Sequence, residues 1–172
     1  MAETAADRNA VLGEFETARE AFQESVRRAP DAALRYKPPG EDYALGGLVV
    51  HVSDVLRRYT TLLDSLRQHE FAAFTAPDHA TPEEDATRIA AGFGGEARGP
   101  VLEEMRAAHS ALVDAVLLYP EHDFTREAAV VYGSGDPYPT SPSHVVGWVA
   151  DHYREHTQQV QDLVSAWAEA TR

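Results

Sequence analysis

Apolar residues recur at helical spacing in four stretches of the chain, and segments rich in proline and glycine separate them. The first stretch runs from about Asp7 to Arg28 on the stripe Leu12, Phe15, Phe22 and Val26, and Pro30 ends it. The second runs from about Leu45 to Gln68, with Leu48, Val52, Val55, Tyr59, Leu62 and Leu66 at steps of three and four. The third covers about Pro100 to Leu118 through Leu102, Met105, Leu112 and Val116, and Pro100 suits a first helical turn. The fourth runs from about Pro142 to Ala170, with Ser141 as N-cap and Pro142 opening the helix. Its stripe is Val145, Val149, Val160, Leu163 and Trp167.

Three long connections join these helices. Residues 29–44 hold Pro30, Pro38, Pro39 and Gly40 and read as an extended crossing. Residues 70–98 allow one short helix from Pro82 to Ala91. Residues 119–141 contain Gly133-Ser134-Gly135-Asp136-Pro137, a turn that fits a short hairpin. Connections this long in a compact domain are often functional. The pattern predicts an all-α fold, a four-helix bundle forming a single domain over residues 1–172, and the long connections permit a path other than simple up-down-up-down.

Composition narrows the function. There is no cysteine among the 172 residues, which removes disulfides, thiolate nucleophiles and Cys-type zinc sites together. That agrees with a reducing, cytoplasmic setting. Met1-Ala2-Glu3-Thr4 shows neither a basic nor an apolar leader region. No apolar run approaches the roughly 20 residues that span a bilayer. A net charge of −13 repels phosphate backbones and anionic lipid alike, so neither nucleic acid nor membrane is expected as a partner.

The histidines carry the chemistry. His152 and His156 are four residues apart on the fourth helix, which puts both rings on one face. They interrupt the series Val145, Val149, Val160, Leu163 and so lie on the buried stripe. An unpaired buried polar group costs on the order of 1–3 kcal/mol, so both rings need partners. His51 follows Leu48 by three and precedes Val55 by four on the second helix. Three histidines from facing helices would hold one divalent metal and leave coordination positions open, as catalytic sites do. The alternative for each is a hydrogen-bonded core histidine. His109, on the third stripe, is a fourth ligand, a hydrogen-bond donor to a ligand, or a core residue. His144 caps the fourth helix or lines the mouth of the site. His69, His79 and His122 fall in loops and read as solvated.

The run His152-Tyr153-Arg154-Glu155-His156 also matches the inverted zinc-protease motif HxxEH. That chemistry needs a downstream carboxylate on another element. Asp162 and Glu169 lie on the same helix and cannot fold back, so the protease reading is set aside.

The segment from Ser143 to Val160, with its DHYREHTQQV, closely resembles the last helix of the DinB-like (YfiT-like) metalloenzyme superfamily. Leu45 to Tyr59, with His51, is similar to that family's second-helix motif. The resemblance implies an up-down-down-up four-helix bundle and a metal, typically zinc or nickel, on His51, His152 and His156. It implies a homodimer. Several relatives are transferases or isomerases that use a low-molecular-weight thiol such as mycothiol, bacillithiol or glutathione; others are hydrolases. The expected function is therefore a metal-dependent enzyme acting on a small electrophilic substrate, with a thiol or water as nucleophile. The alternative is a non-enzymatic metal-binding or stress-response bundle. Since the chain has no cysteine, any thiol comes from outside, and Arg57, Arg58 and Arg154 are candidate anchors for it.

Overall fold

The computed structural model describes residues 7–172, so the leader reading at Met1-Ala2-Glu3-Thr4 lies outside the described residues. Five α-helices form: α1 (Arg8–Arg28), α2 (Gly47–Gln68), α3 (Glu83–Ala91), α4 (Arg98–Leu117) and α5 (Pro142–Ala170). Three short strands accompany them: β1 (Phe74–Thr75), β2 (Ala128–Val131) and β3 (Pro137–Thr140). The domain is thus mostly helical, not purely so. The hairpin of β2 and β3 occupies the turn-rich 119–141 connection, with Val131 opposite Pro137. Strand β1 was not anticipated. It pairs in parallel with β2, Phe74 opposite Val130, and two residues are too few to show an alternating pattern.

Local chemistry explains the helix ends. Asp7 accepts from the Asn9 N–H at 2.9 Å to cap α1, and Ser141 accepts from the His144 N–H at 3.1 Å to cap α5. Helix α2 has no side-chain cap. Its entry is held instead by backbone bonds from Ala44 N–H to the Ile89 carbonyl (3.0 Å), Leu45 N–H to Tyr36 (2.9 Å) and Gly46 N–H to Leu34 (2.8 Å). These tie the 29–46 crossing and the end of α3 to the first turn of α2, one turn before His51. Gly47 is required for that closeness, because a Cβ there would overlap the Ile89 backbone.

Helices α1 and α5 run in the same direction: Glu14 faces Arg154 at 3.8 Å, and Ala21 to Arg28 flank Thr157 to Val164. Helix α4 opposes α1, since its first residue, Arg98, donates to the carbonyls of Arg27 and Ala29 at 2.6 and 2.7 Å. At the other end of α4, the Tyr119 hydroxyl donates to the Leu63 carbonyl of α2. Phe15, Phe22, Leu48, Leu56, Leu63, Met105, Leu112 and Tyr153 fill the interior between the four long helices, fully buried. Each such side chain contributes roughly 1.5–3 kcal/mol by leaving water. Among the described residues no helix is long and apolar enough to cross a membrane.

Two glycine substitutions should move stability in opposite directions. Gly47→Ala is expected to cost about 1–3 kcal/mol by overpacking against Ile89. Gly13→Ala, mid-α1 with nothing within 4 Å of the added methyl, is expected to gain about 0.5–1 kcal/mol. Urea denaturation of both variants checks the pair.

Candidate metal centre

His51 sits in the second turn of α2, and His152 and His156 lie on successive turns of α5. The two helices bring the three rings together. His152 Nε2 is 3.1 Å from His51 Nε2 and 3.1 Å from His156 Nε2. One ligand atom from each of the three lies within 4.8 Å of the others. The His51 and His152 rings are half-buried and His156 is buried.

Burial disfavours charge on all three. Burial first, then facing His156, pushes the His51 pKa down to about 4. The same causes, with His51 added, push His152 to about 3. His156 is also lowered by burial, against the opposing effect of its bond to Gln159. The rings are therefore neutral at pH 7, the form that binds a metal.

Three neutral imidazoles cannot satisfy one another in this arrangement. A ring nitrogen carries either a proton or a lone pair, never both. His156 Nδ1 donates to Gln159 Oε1 at 2.8 Å, which leaves a lone pair on its Nε2. If His152 Nε2 carries a proton, it donates to one neighbour and leaves the other contact unmade. If it carries a lone pair, that lone pair faces His156's at 3.1 Å. A cation at the point of convergence resolves the conflict, and the Gln159 bond is the kind of outer contact that fixes a ligand's tautomer. The residues present thus fit a divalent ion on three imidazoles, with positions left open. No carboxylate belongs to this group among the described residues. Glu155, the acid of the HxxEH pattern, is exposed.

Two residues at the site escaped the sequence reading. Gln159 stands three after His156, a helical neighbour whose spacing was a usable signal. Tyr43 comes from the 29–46 crossing and packs its ring 4.8 Å from His51 and 6.2 Å from His156. Nothing in a loop sequence marks such a residue.

The remaining histidines sort cleanly. His109 stands apart from the triad, buried between α1 and α5. Its Nδ1 lies 3.2 Å from the Tyr153 hydroxyl, and its ring stacks on Phe15 at 4.2 Å. Its Nε2 is 2.9 Å from Glu16 Oε2 but too poorly aligned to form a hydrogen bond. His144 contributes its backbone N–H to the α5 cap and stacks its ring on Trp148. His79 corrects the solvated reading: its Nε2 contacts the buried Asp54 carboxylate at 2.9 Å, beside Thr81 at 2.7 Å, and pins the loop after α2. His69 stacks on Phe74 at 4.6 Å, and His122 is exposed. Arg57 pairs with Asp85 and Arg154 with Asp151, while Arg58 lies 5.9 Å over the Tyr59 ring.

Two measurements follow from these contacts. Gln159→Leu should weaken metal binding about 10–100-fold, read by competition with a chromophoric chelator. His109 adds a pH dependence of its own to that of the three triad histidines, whose pKa values burial lowers in the same direction. Burial holds its folded pKa at about 4, against an ordinary value of 6.5. The unfolded chain therefore takes up this proton first as pH falls. Stability is whole above pH 6.5 and drains away down to about 4. Denaturation midpoints of metal-free protein should fall across that window, and less steeply in His109→Gln.

Comparisons with known proteins agree with this architecture. A solved structure of a conserved protein from Enterococcus faecalis is similar in fold, with a TM-score of 0.58 and 14% sequence identity, over 91% of this chain and 94% of that one. No curated protein matches the chain in sequence. The family model of the DinB superfamily matches residues 14–160, a span that takes in all three histidines. The chain belongs to the DinB superfamily.

Proposed function

We propose that this protein binds one divalent transition metal, zinc or nickel, through His51, His152 and His156, and acts as an enzyme on small electrophiles. The observation that carries the reading is the convergence of three neutral Nε2 atoms, with His152 Nε2 3.1 Å from each of the other two. When bound, such an ion supplies Lewis acidity that lowers the pKa of a thiol or water in its open positions. The chain's own residues do the rest. Gln159 holds the His156 ring in its ligating tautomer, and Tyr43 shields one side of the triad with an apolar ring. Lacking cysteine, the chain draws its nucleophile from outside, either a low-molecular-weight thiol of the mycothiol or bacillithiol kind or water.

An up-down-down-up course for α1, α2, α4 and α5 belongs to the same proposal. The parallel contacts of α1 with α5, and the opposed ends of α1 and α4, support it. A homodimer and a cytoplasmic setting, where small thiols are abundant, complete it on family likeness.

Metal analysis of untagged protein tests the reading. One ion per chain is expected, lost in His152→Ala. In cobalt-loaded protein, added glutathione or cysteine should shift the visible absorption. Failure to take up zinc, nickel or cobalt sinks the metal site. Uptake with a spectrum indifferent to thiol, and no hydrolysis of activated esters, leaves a metal-stabilised bundle without enzymatic function.

A further inference from the structure

Among the described residues three large apolar side chains are exposed, and two of them are neighbours: Leu117 at 52% and Leu118 at 63%, at the C-terminal end of α4. The exposed positions earlier on that helix include the charged Glu103, Glu104 and Arg106. The leucines adjoin more apolar surface. Leu118 forms one lip of a cleft of about 350 Å³ whose other apolar walls are Phe71, Tyr119 and Pro120. Phe71 reaches the cleft from an uncommon backbone: Glu70 and Phe71 have φ of +50° and +64°, the left-handed region that residues with a side chain seldom occupy. Such conformations persist where the surroundings enforce them. Here the Phe71 ring lies under the Arg126 guanidinium at 4.5 Å and edge-on to Tyr119 at 5.9 Å. In a chain of net charge −13 two adjacent wet leucines do nothing for solubility, and contiguous exposed apolar area marks a contact with something else.

The patch holds complementary features side by side. Leu117 is no part of the cleft wall, so a protruding knob stands next to a socket. Asp114, one turn before the leucines, is exposed and makes no ion pair among the described residues. Arg126 stands on the cleft side of the leucines with about half its side chain in water. It meets Asp123 at 3.4 Å and donates to the Glu70 carbonyl at 3.3 Å. Arg67, the other base of the cleft, is tied to Asp64 at 3.5 Å. An unpaired acid thus lies on the helix side of the leucines and a half-exposed base on the cleft side. A two-fold axis through the leucines exchanges those two sides.

We propose that a second copy of this chain docks on this patch, the two copies related by a two-fold axis at Leu117 and Leu118. Each Leu117 enters the partner's cleft, and each Asp114 meets the partner's Arg126. The patch fits its own copy better than a different protein, because a two-fold contact requires knob, socket, acid and base on one surface, and all four are here. Opposed charges across the contact fix its register, while the leucines supply the burial. The inference rests on the homodimer of the proposed function and gives that dimer an interface; the metal plays no part in it.

Sedimentation equilibrium of the untagged full-length protein should show a dimer. Leu118→Glu should weaken it about 100-fold, since a leucine is lost from each side of the contact. Asp114→Arg and Arg126→Asp, each alone, should weaken it about tenfold, because each sets like charges against one another twice per dimer. An equimolar mixture of those two variants should recover wild-type association, because opposite charges then face each other at both places. That recovery also shows that both variants are folded. A dimer that survives Leu118→Glu and both charge reversals overturns this inference and leaves the homodimer standing. Loss of the dimer in Leu118→Glu without recovery in the mixture overturns the two-fold pairing. A wild-type chain that stays monomeric at high micromolar concentration overturns the interface and the homodimer together, with the metal reading untouched.

Discussion

Three imidazole nitrogens aimed at one point from two helices are the constraint on which the rest depends. Their burial keeps them neutral, and neutral rings in this arrangement cannot meet each other's hydrogen-bonding needs. The contact therefore survives only if α2 and α5 are held where they are by forces elsewhere. On α5 that force is Tyr153, the residue next to His152. It is fully buried, packed on Phe15 and Phe22 of α1 and within reach of His109 on α4. Successive helical residues point about 100° apart, so locking Tyr153 inward sets the rotation that aims His152 and His156 along the seam.

On α2 the bracing comes from the connections. The crossing before α2 and the end of α3 both hydrogen-bond to its entry through backbone groups, with Gly47 allowing the approach. The loop after α2 is fastened by His79 and Thr81 to buried Asp54, one turn beyond His51. The long connections are thus working parts of the site. They position His51, pack Tyr43 against it, and place the tyrosines of the hairpin beside Trp148.

Membership in the DinB superfamily sits alongside only 14% identity to a solved structure of similar fold. A bundle demands apolar residues at core-facing steps and tolerates most choices within that class. The chain can therefore drift far while the helices keep their packing.

The helices were legible because each carries its own signal. Periodicity marks its face, Ser141 and Pro142 mark where α5 starts, and Pro30 marks where α1 stops. The HxxxH pair was legible for the same reason, since a four-residue step on one helix fixes proximity without any tertiary information. The pairing of His51 with that pair rested on a shared buried stripe and on resemblance; only packing could bring it to 3.1 Å, across a sequence separation of 101 residues. Strand β1, the tether of His79 and the cover of Tyr43 had no such trace. Each depends on a partner far along the chain, and an irregular backbone imposes no period from which that partner can be read. Local geometry is written in neighbouring residues; the meeting of distant surfaces is decided only when the core closes.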